Sequence, residues 1–148
     1  MATIDDIRRV VALDHGLASL STLRADGHVQ ATVVNAGVVD HPATGRPVVA
    51  FVGRPGTAKL DHLRARPHAT LLWRAGWAWV AVEGDAELIG PDDPSPTCAE
   101  ADLPALLRRI HASAGIGGDE DWSEFDRTVA AERRAAVLVT PLRIYVNP

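Results

Sequence analysis

Between residues 53 and 59 the chain reads Gly-Arg-Pro-Gly-Thr-Ala-Lys, and this stretch holds the residue types that suit binding chemistry best. An apolar run, Val48 to Val52, precedes it, and a short helix is expected to begin at Thr57. Two glycines permit a sharp turn or a close approach to a ligand, and Pro55 fixes φ beside them. Thr57 suits the N-cap of that helix, whose first N–H groups carry partial positive charge toward the loop. Arg54 and Lys59 flank the same spot, with Ala58 between Thr57 and Lys59, and Lys59 is the sole lysine among fifteen basic residues. A strand, a glycine turn, a helix start and two cations could seat a phosphate. They could equally be an ordinary strand-to-helix connection with two solvated cations, and the stretch by itself leaves both readings open.

Other chemistries lack their residues. No Gly-x-Ser-x-Gly turn is present to activate a serine, and Cys98 lies in a proline-rich loop without a partner motif. A single cysteine excludes an intrachain disulfide and any cysteine-based zinc site. The six histidines are scattered, so no protein-held metal is expected. Walker and Gly-x-Gly-x-x-Gly motifs are absent, which argues against ATP hydrolysis and a Rossmann domain. With no general base in evidence, catalysis would fall to a bound cofactor.

The elements that must position this stretch follow from periodicity. Residues 3–13 carry Ile4, Ile7, Val10 and Val11 as a helical stripe, opened by Thr3 and Asp6 at capping-box spacing. Residues 17–24 alternate with period two, and Asp26-Gly27 suits a hairpin into a long strand at 29–39. Asn35 inside that strand is expected either to face solvent or to bond a specific partner. Further strands are expected at 47–53, 68–74 and 77–89, with Gly84 marking a bulge or bend. Trp77 and Trp79, two residues apart, would share one face of the fifth strand as core, contact surface or ligand wall. Helices are expected at 97–114 and 119–134, joined by a linker at 115–118, before a last strand at 136–146. Pro141 places that strand at an edge or splits it with a bulge.

The sum is a mainly β chain with helices, an α+β architecture built on a six-stranded antiparallel barrel. Its 148 residues suit one domain, 1–148. A net charge of −4 argues against gripping nucleic acid through overall charge, though it allows a local basic seat. There is no signal-peptide pattern and no apolar run long enough to span a membrane, which fits a cytoplasmic protein.

In this order the chain resembles the split β-barrel flavin and deazaflavin enzymes related to pyridoxamine 5′-phosphate oxidase. Within them it looks most like the actinobacterial branch using the deazaflavin coenzyme F420. The residues that carry the likeness are Leu20 to Gln30 leading to Val34-Asn35, then Thr57 to Ala69. Gly76-Trp77-Ala78-Trp79, Val82 to Ala86 and the closing Leu142-Arg-Ile-Tyr145 complete it. The resemblance implies a homodimer with coenzyme sites at the interface. It implies a phosphate contact for Lys59, supported by Thr57 and Ala58, and a ring lying beside Val33, Val34 and Asn35. Trp77 and Trp79 match aromatic positions near the site. Many relatives carry an arginine two residues before the lysine and a Ser or Thr just after it. Those places here hold Thr57 and Leu60, so Arg54, from the Arg54-Pro55 loop, is the remaining candidate for that charge. The implied reaction is hydride transfer from reduced F420 to a conjugated small molecule such as an enone, quinone or tetrapyrrole. FMN is the alternative cofactor, and a non-catalytic F420 carrier the alternative role.

Overall fold

A computed structural model describes residues 1–115 and 120–147, and the expected linker at 115–118 and helix start at 119 fall largely outside them. Six strands form a closed antiparallel barrel: β1 (Leu17–Leu23), β2 (Val29–Asp40), β3 (Pro47–Gly53), β4 (His68–Ala75), β5 (Ala78–Ile89) and β6 (Ala135–Val146). Their order around the barrel is β1-β2-β3-β6-β5-β4. The helices are α1 (Ile4–Val11), α2 (Ala58–Ala65), α3 (Leu103–Ser113) and α4 (Trp122–Ala131), with one 3₁₀ turn at Glu100–Asp102 ahead of α3.

Alternation sets the faces. On β1, Ala18, Leu20 and Thr22 point inward while Leu17 and Ser19 point out. The barrel interior is filled by Leu20, Phe51, Leu71, Trp73, Val80 and Val82. Ile7, Val10 and Val11 of α1, with Leu60 and Leu63 of α2, join the same core. Asp6 accepts the Thr3 N–H at 2.8 Å, the half of a capping box that opens α1. A second core lies outside the barrel, where Leu103, Leu106, Leu107 and Ile110 of α3 and Val129 of α4 cover Val48, Ala50, Ala136 and Leu138. Pro104 stands in the first turn of α3, where its missing N–H removes no helical bond.

Pro141 is not at a sheet edge. β6 runs between β3 and β5, and the β5–β6 register slips between Glu83 and Gly84, which face Arg143 and Pro141 respectively. The bulge leaves Leu142 unpaired at that step, and Pro141 lies beyond the last β3 pair, Val49 with Val139. Helix α4 is shorter than its acidic and basic ends suggested. Asp121 caps it by accepting the Glu124 N–H at 3.1 Å, and it ends before Arg133, which turns the chain with φ of 52°.

One departure from barrel regularity matters for function. β2 pairs with β1 over its whole first half, Val29 to Asn35, but meets β3 only from Ala36 onward. Ala36 donates to Gly16 O and Arg24 to His28 O, both at 2.9 Å, so the even-numbered residues of β2 aim their main chain at β1. Ala31, Val33 and Asn35 therefore aim theirs at the opening between β2 and β3. Helix α3 seals the near end of the opening through Gly37, where an added Cβ would stand 2.3 Å from Ser113 Oγ and 2.5 Å from its carbonyl carbon. Gly37→Ala should lower stability by about 1–3 kcal/mol through that overlap, read as a lower denaturation midpoint with unchanged slope.

Candidate functional site

A cavity of about 310 Å³ occupies the opening between β2 and β3. Val33, Val34 and Asn35 of β2 form one side, and Val52 and Arg54 at the end of β3 the other. Lys59 enters from the first turn of α2, Ile110, His111 and Ala114 from α3, and Arg134 from the approach to β6. Five residues marked in the sequence thus share one cavity: Val33, Val34, Asn35, Arg54 and Lys59.

Local structure explains the arrival of Lys59. Leu60 packs so closely on Gly53 that an added Cβ there would lie 2.8 Å from Leu60 Cδ2, which docks α2 on the end of β3. The neighbouring Lys59 is thereby held at the rim. The loop between them, Arg54 to Gly56, turns at Gly56 with φ of 80°. Thr57 occupies the N-cap position, but its hydroxyl does not cap the helix. It donates instead to Arg54 O at 2.8 Å, closing the turn. The first N–H groups of α2 are consequently left without a side-chain cap.

The electrostatics are one-sided. Arg54, Lys59 and Arg134 line the cavity, and no carboxylate stands among its described lining residues. Among the described residues neither Arg54 nor Lys59 is in an ion pair, whereas Arg134 binds Glu132 at 2.6 Å. In a chain of net charge −4 this is a local basic seat of the kind that attracts an anion.

Other marked residues lie elsewhere. Thr57, Ala58 and Pro55 adjoin the cavity in sequence without lining it. Asn35 bonds a specific partner, its Nδ2 donating to His15 O at 3.0 Å. Trp77 is not on the fifth strand: it stands in the β4–β5 turn and is 91% exposed, since Ala75 and Ala78 are the pair that closes the hairpin. Trp79 meets Tyr145 edge-on, with ring centroids 6.2 Å apart. Neither tryptophan lines the cavity within this chain.

Sequence periodicity alone does not single out His111 or Arg134, both of which line the cavity. Residues 103–110 show a helical stripe, Leu103, Leu106, Leu107 and Ile110, that continues to Ala114. His111 borders this stripe, a position that spacing could have flagged as rim. Arg134 looked like a helix end and instead follows the turn at Arg133. A second cavity, about 260 Å³, contains Cys98, Glu100 and Arg133. Burial, and then the Asp102 charge, push the Cys98 thiol up, away from the reactive thiolate.

Behind His111, α4 is tied to α3 by Arg108, whose Nε donates to Asp126 at 2.9 Å. That guanidinium holds the Asp126 carboxyl below the usual carboxylate range. A depressed carboxylate stabilises the fold above its unfolded-state pKa and loses that contribution as pH falls through the folded value. The difference in melting temperature between wild type and Asp126→Asn should therefore shrink toward zero on acidification below about pH 4.

With the geometry established, the chain can be placed. It belongs to the pyridoxamine 5′-phosphate oxidase family, whose sequence profile matches residues 4–145. No curated protein matches it in sequence. Among solved structures it is similar to a conserved hypothetical protein from Mycobacterium tuberculosis, with TM-score 0.70 and 19% identity over 99% of this chain and 84% of that one. It is also similar to a pyridoxamine 5′-phosphate oxidase-related, FMN-binding protein from Nostoc punctiforme (TM-score 0.65, 16% identity, 96% and 79% covered). An F420 reductase is a third relative in fold (TM-score 0.58, 15% identity, 91% and 93% covered). These identities show the shared split-barrel fold.

Proposed function

We propose that this protein is an F420-dependent reductase acting on a conjugated small molecule of the enone, quinone or tetrapyrrole class. The observation that carries the reading is the convergence of Arg54, Lys59 and Arg134 on a cavity bordered by the open edge of β2. Phosphate is the group that such a cluster, beside the uncapped start of α2, would hold. The outward main-chain groups of Ala31, Val33 and Asn35 offer alternating donors and acceptors to the polar rim of a flat ring. Val33, Val34, Val52 and Ile110 supply apolar walls that keep water from its faces. These residues fit a phosphate-bearing deazaflavin. They fit FMN by the same features, and the FMN-binding relative favours it as the second reading.

When bound, the reduced coenzyme would supply the hydride. The chain's own part is then to fix the phosphate with Lys59 and Arg54, lay the ring along β2, and exclude water. Few acid–base groups are needed for those tasks, which agrees with the sparse catalytic motifs of the sequence.

The protein would work as a homodimer in the cytoplasm. Val33 is 70% exposed, and Leu17, Leu72 and Trp77 are exposed with it on the outer side of β1, β2 and β4 or at the adjoining turn. A second copy covering this face would close the cavity's outer rim, because Val33 belongs to both. Aromatic residues from that copy are the route by which Trp77 would reach the ring.

Titration of the purified protein with F420 and with FMN, followed by tryptophan quenching, tests the reading. F420 should bind tighter than FMN. Lys59→Ala should weaken F420 binding roughly ten-fold to over a hundred-fold, the loss of one charge-assisted contact of about 1.5–3 kcal/mol. Unchanged binding by Lys59→Ala would remove the site assignment. Tight binding without hydride transfer to any enone or quinone would point to a carrier.

A further inference from the structure

Helix α3 brings one titratable side chain to this cavity, His111. Its Nε2 lies 3.2 Å from a carboxylate oxygen of Glu120, and its side chain is 24% exposed. The ring rests against Phe125 at a centroid distance of 4.8 Å and meets Trp122 edge-on at 6.1 Å. These contacts hold the imidazole in place, with a carboxylate on one side and an anion-attracting cavity on the other.

The charged groups around it are of two kinds. Among the described residues, Arg54, Lys59 and Arg134 come from the cavity and Glu120 from beside α4, with Arg134 paired to Glu132, whose carboxyl also feels the Arg54 charge. Arg108, one turn earlier on α3, stacks over Trp122 and is bound to Asp126, so that pair is internally balanced. His15, in the turn before β1, is the other imidazole nearby, with its Cα 4.0 Å from where a Gly115 side chain would begin.

We propose that His111 is the proton carrier of this cavity: arrival of an anion loads a proton onto its ring, and Glu120 holds the charged form. The proposal rests on the reading that the cavity takes an anionic coenzyme. An anion held by Arg54 and Lys59 would share the cavity with the His111 ring, and a nearby negative charge favours the charged form of an imidazole. Anion binding and proton binding then favour one another, because such coupling is reciprocal. Imidazole is the side chain whose charge ordinarily changes between about pH 5 and 8, so the coupling falls in the working range.

The loaded imidazolium has a chemical use. Hydride addition to a conjugated double bond delivers two electrons and one hydrogen, and the product needs one further proton. His111 gives that proton to the substrate and regains one from water, so the balance is one hydride and one proton per double bond reduced.

Isothermal titration with sodium sulfate, a dianion throughout pH 6 to 8, reads the coupling without the coenzyme's own titrations. Buffers of different ionisation heat report proton uptake. Wild type should take up a fraction of a proton at pH 7, and its sulfate affinity should fall about three- to ten-fold from pH 6 to pH 8. His111→Gln should lose both effects, Glu120→Gln should reduce the uptake, and His15→Asn should behave as wild type. A pH slope that survives His111→Gln, or one that vanishes with His15→Asn, would overturn the proposal, as would failure of wild type to bind sulfate at pH 6. F420 run in parallel separates the two readings. Sulfate coupling through His111 with no F420 binding would overturn the coenzyme reading and leave this one. Tight F420 binding whose proton uptake is the same in His111→Gln would do the reverse.

Discussion

The structure depends on the parting of β2 from β3 beyond the Ala36–Phe51 pair. A barrel that closed fully at this point would leave neither a cavity nor a free strand edge. Two contacts hold the parting open. Ser113, at the end of α3, stands against Gly37, and Leu60 of α2 is pressed onto Gly53. The two helices therefore grip the strands on either side of the gap, and the buried Trp73 indole pins its inner end by donating to Ala36 O at 3.0 Å. An unpaired strand edge is costly in an apolar setting and open to unwanted pairing in water. Here it is lined with cations and small apolar side chains, a combination suited to a polar, flat, anionic ligand.

That constraint unifies residues far apart in the chain. Val33 to Asn35 reach the cavity because their strand keeps β1 and leaves β3. Arg54 and Lys59 reach it because the chain turns at Gly56 and docks Leu60 beneath the rim. Arg134 and His111 arrive from the helical pair that covers the outer core. The family and the split-barrel fold follow from the whole chain, residues 4–145, rather than from any one of these features.

Much of the barrel was legible from periodicity. The strand at 47–53 coincides with β3, and the slip beside Gly84 fits a residue that no side chain could replace there without striking Thr140 O. What stayed hidden was what only long-range pairing decides. Pro141 offered an edge or a bulge, and the choice belongs to which strands flank β6. Thr57 has the right identity for a cap, yet the nearby Arg54 carbonyl takes its hydroxyl proton. Trp77 and Trp79 looked like partners by spacing, but the hairpin turn takes in Trp77 before the strand begins. For the site, the Arg54–Lys59 side was legible as local chemistry. The His111–Arg134 side was not, because its residues lie 50 or more positions further along, where no local pattern ties them to a phosphate.

The central claim is that the gap between β2 and β3 holds the phosphate and ring of a flavin-type coenzyme. A crystal structure of the protein grown with F420 tests it most directly. The account predicts phosphate density within hydrogen-bonding distance of Lys59 Nζ, and ring density along the main chain of Val33 and Asn35. Coenzyme density at any other place on the protein, with this cavity filled only by water, would contradict it.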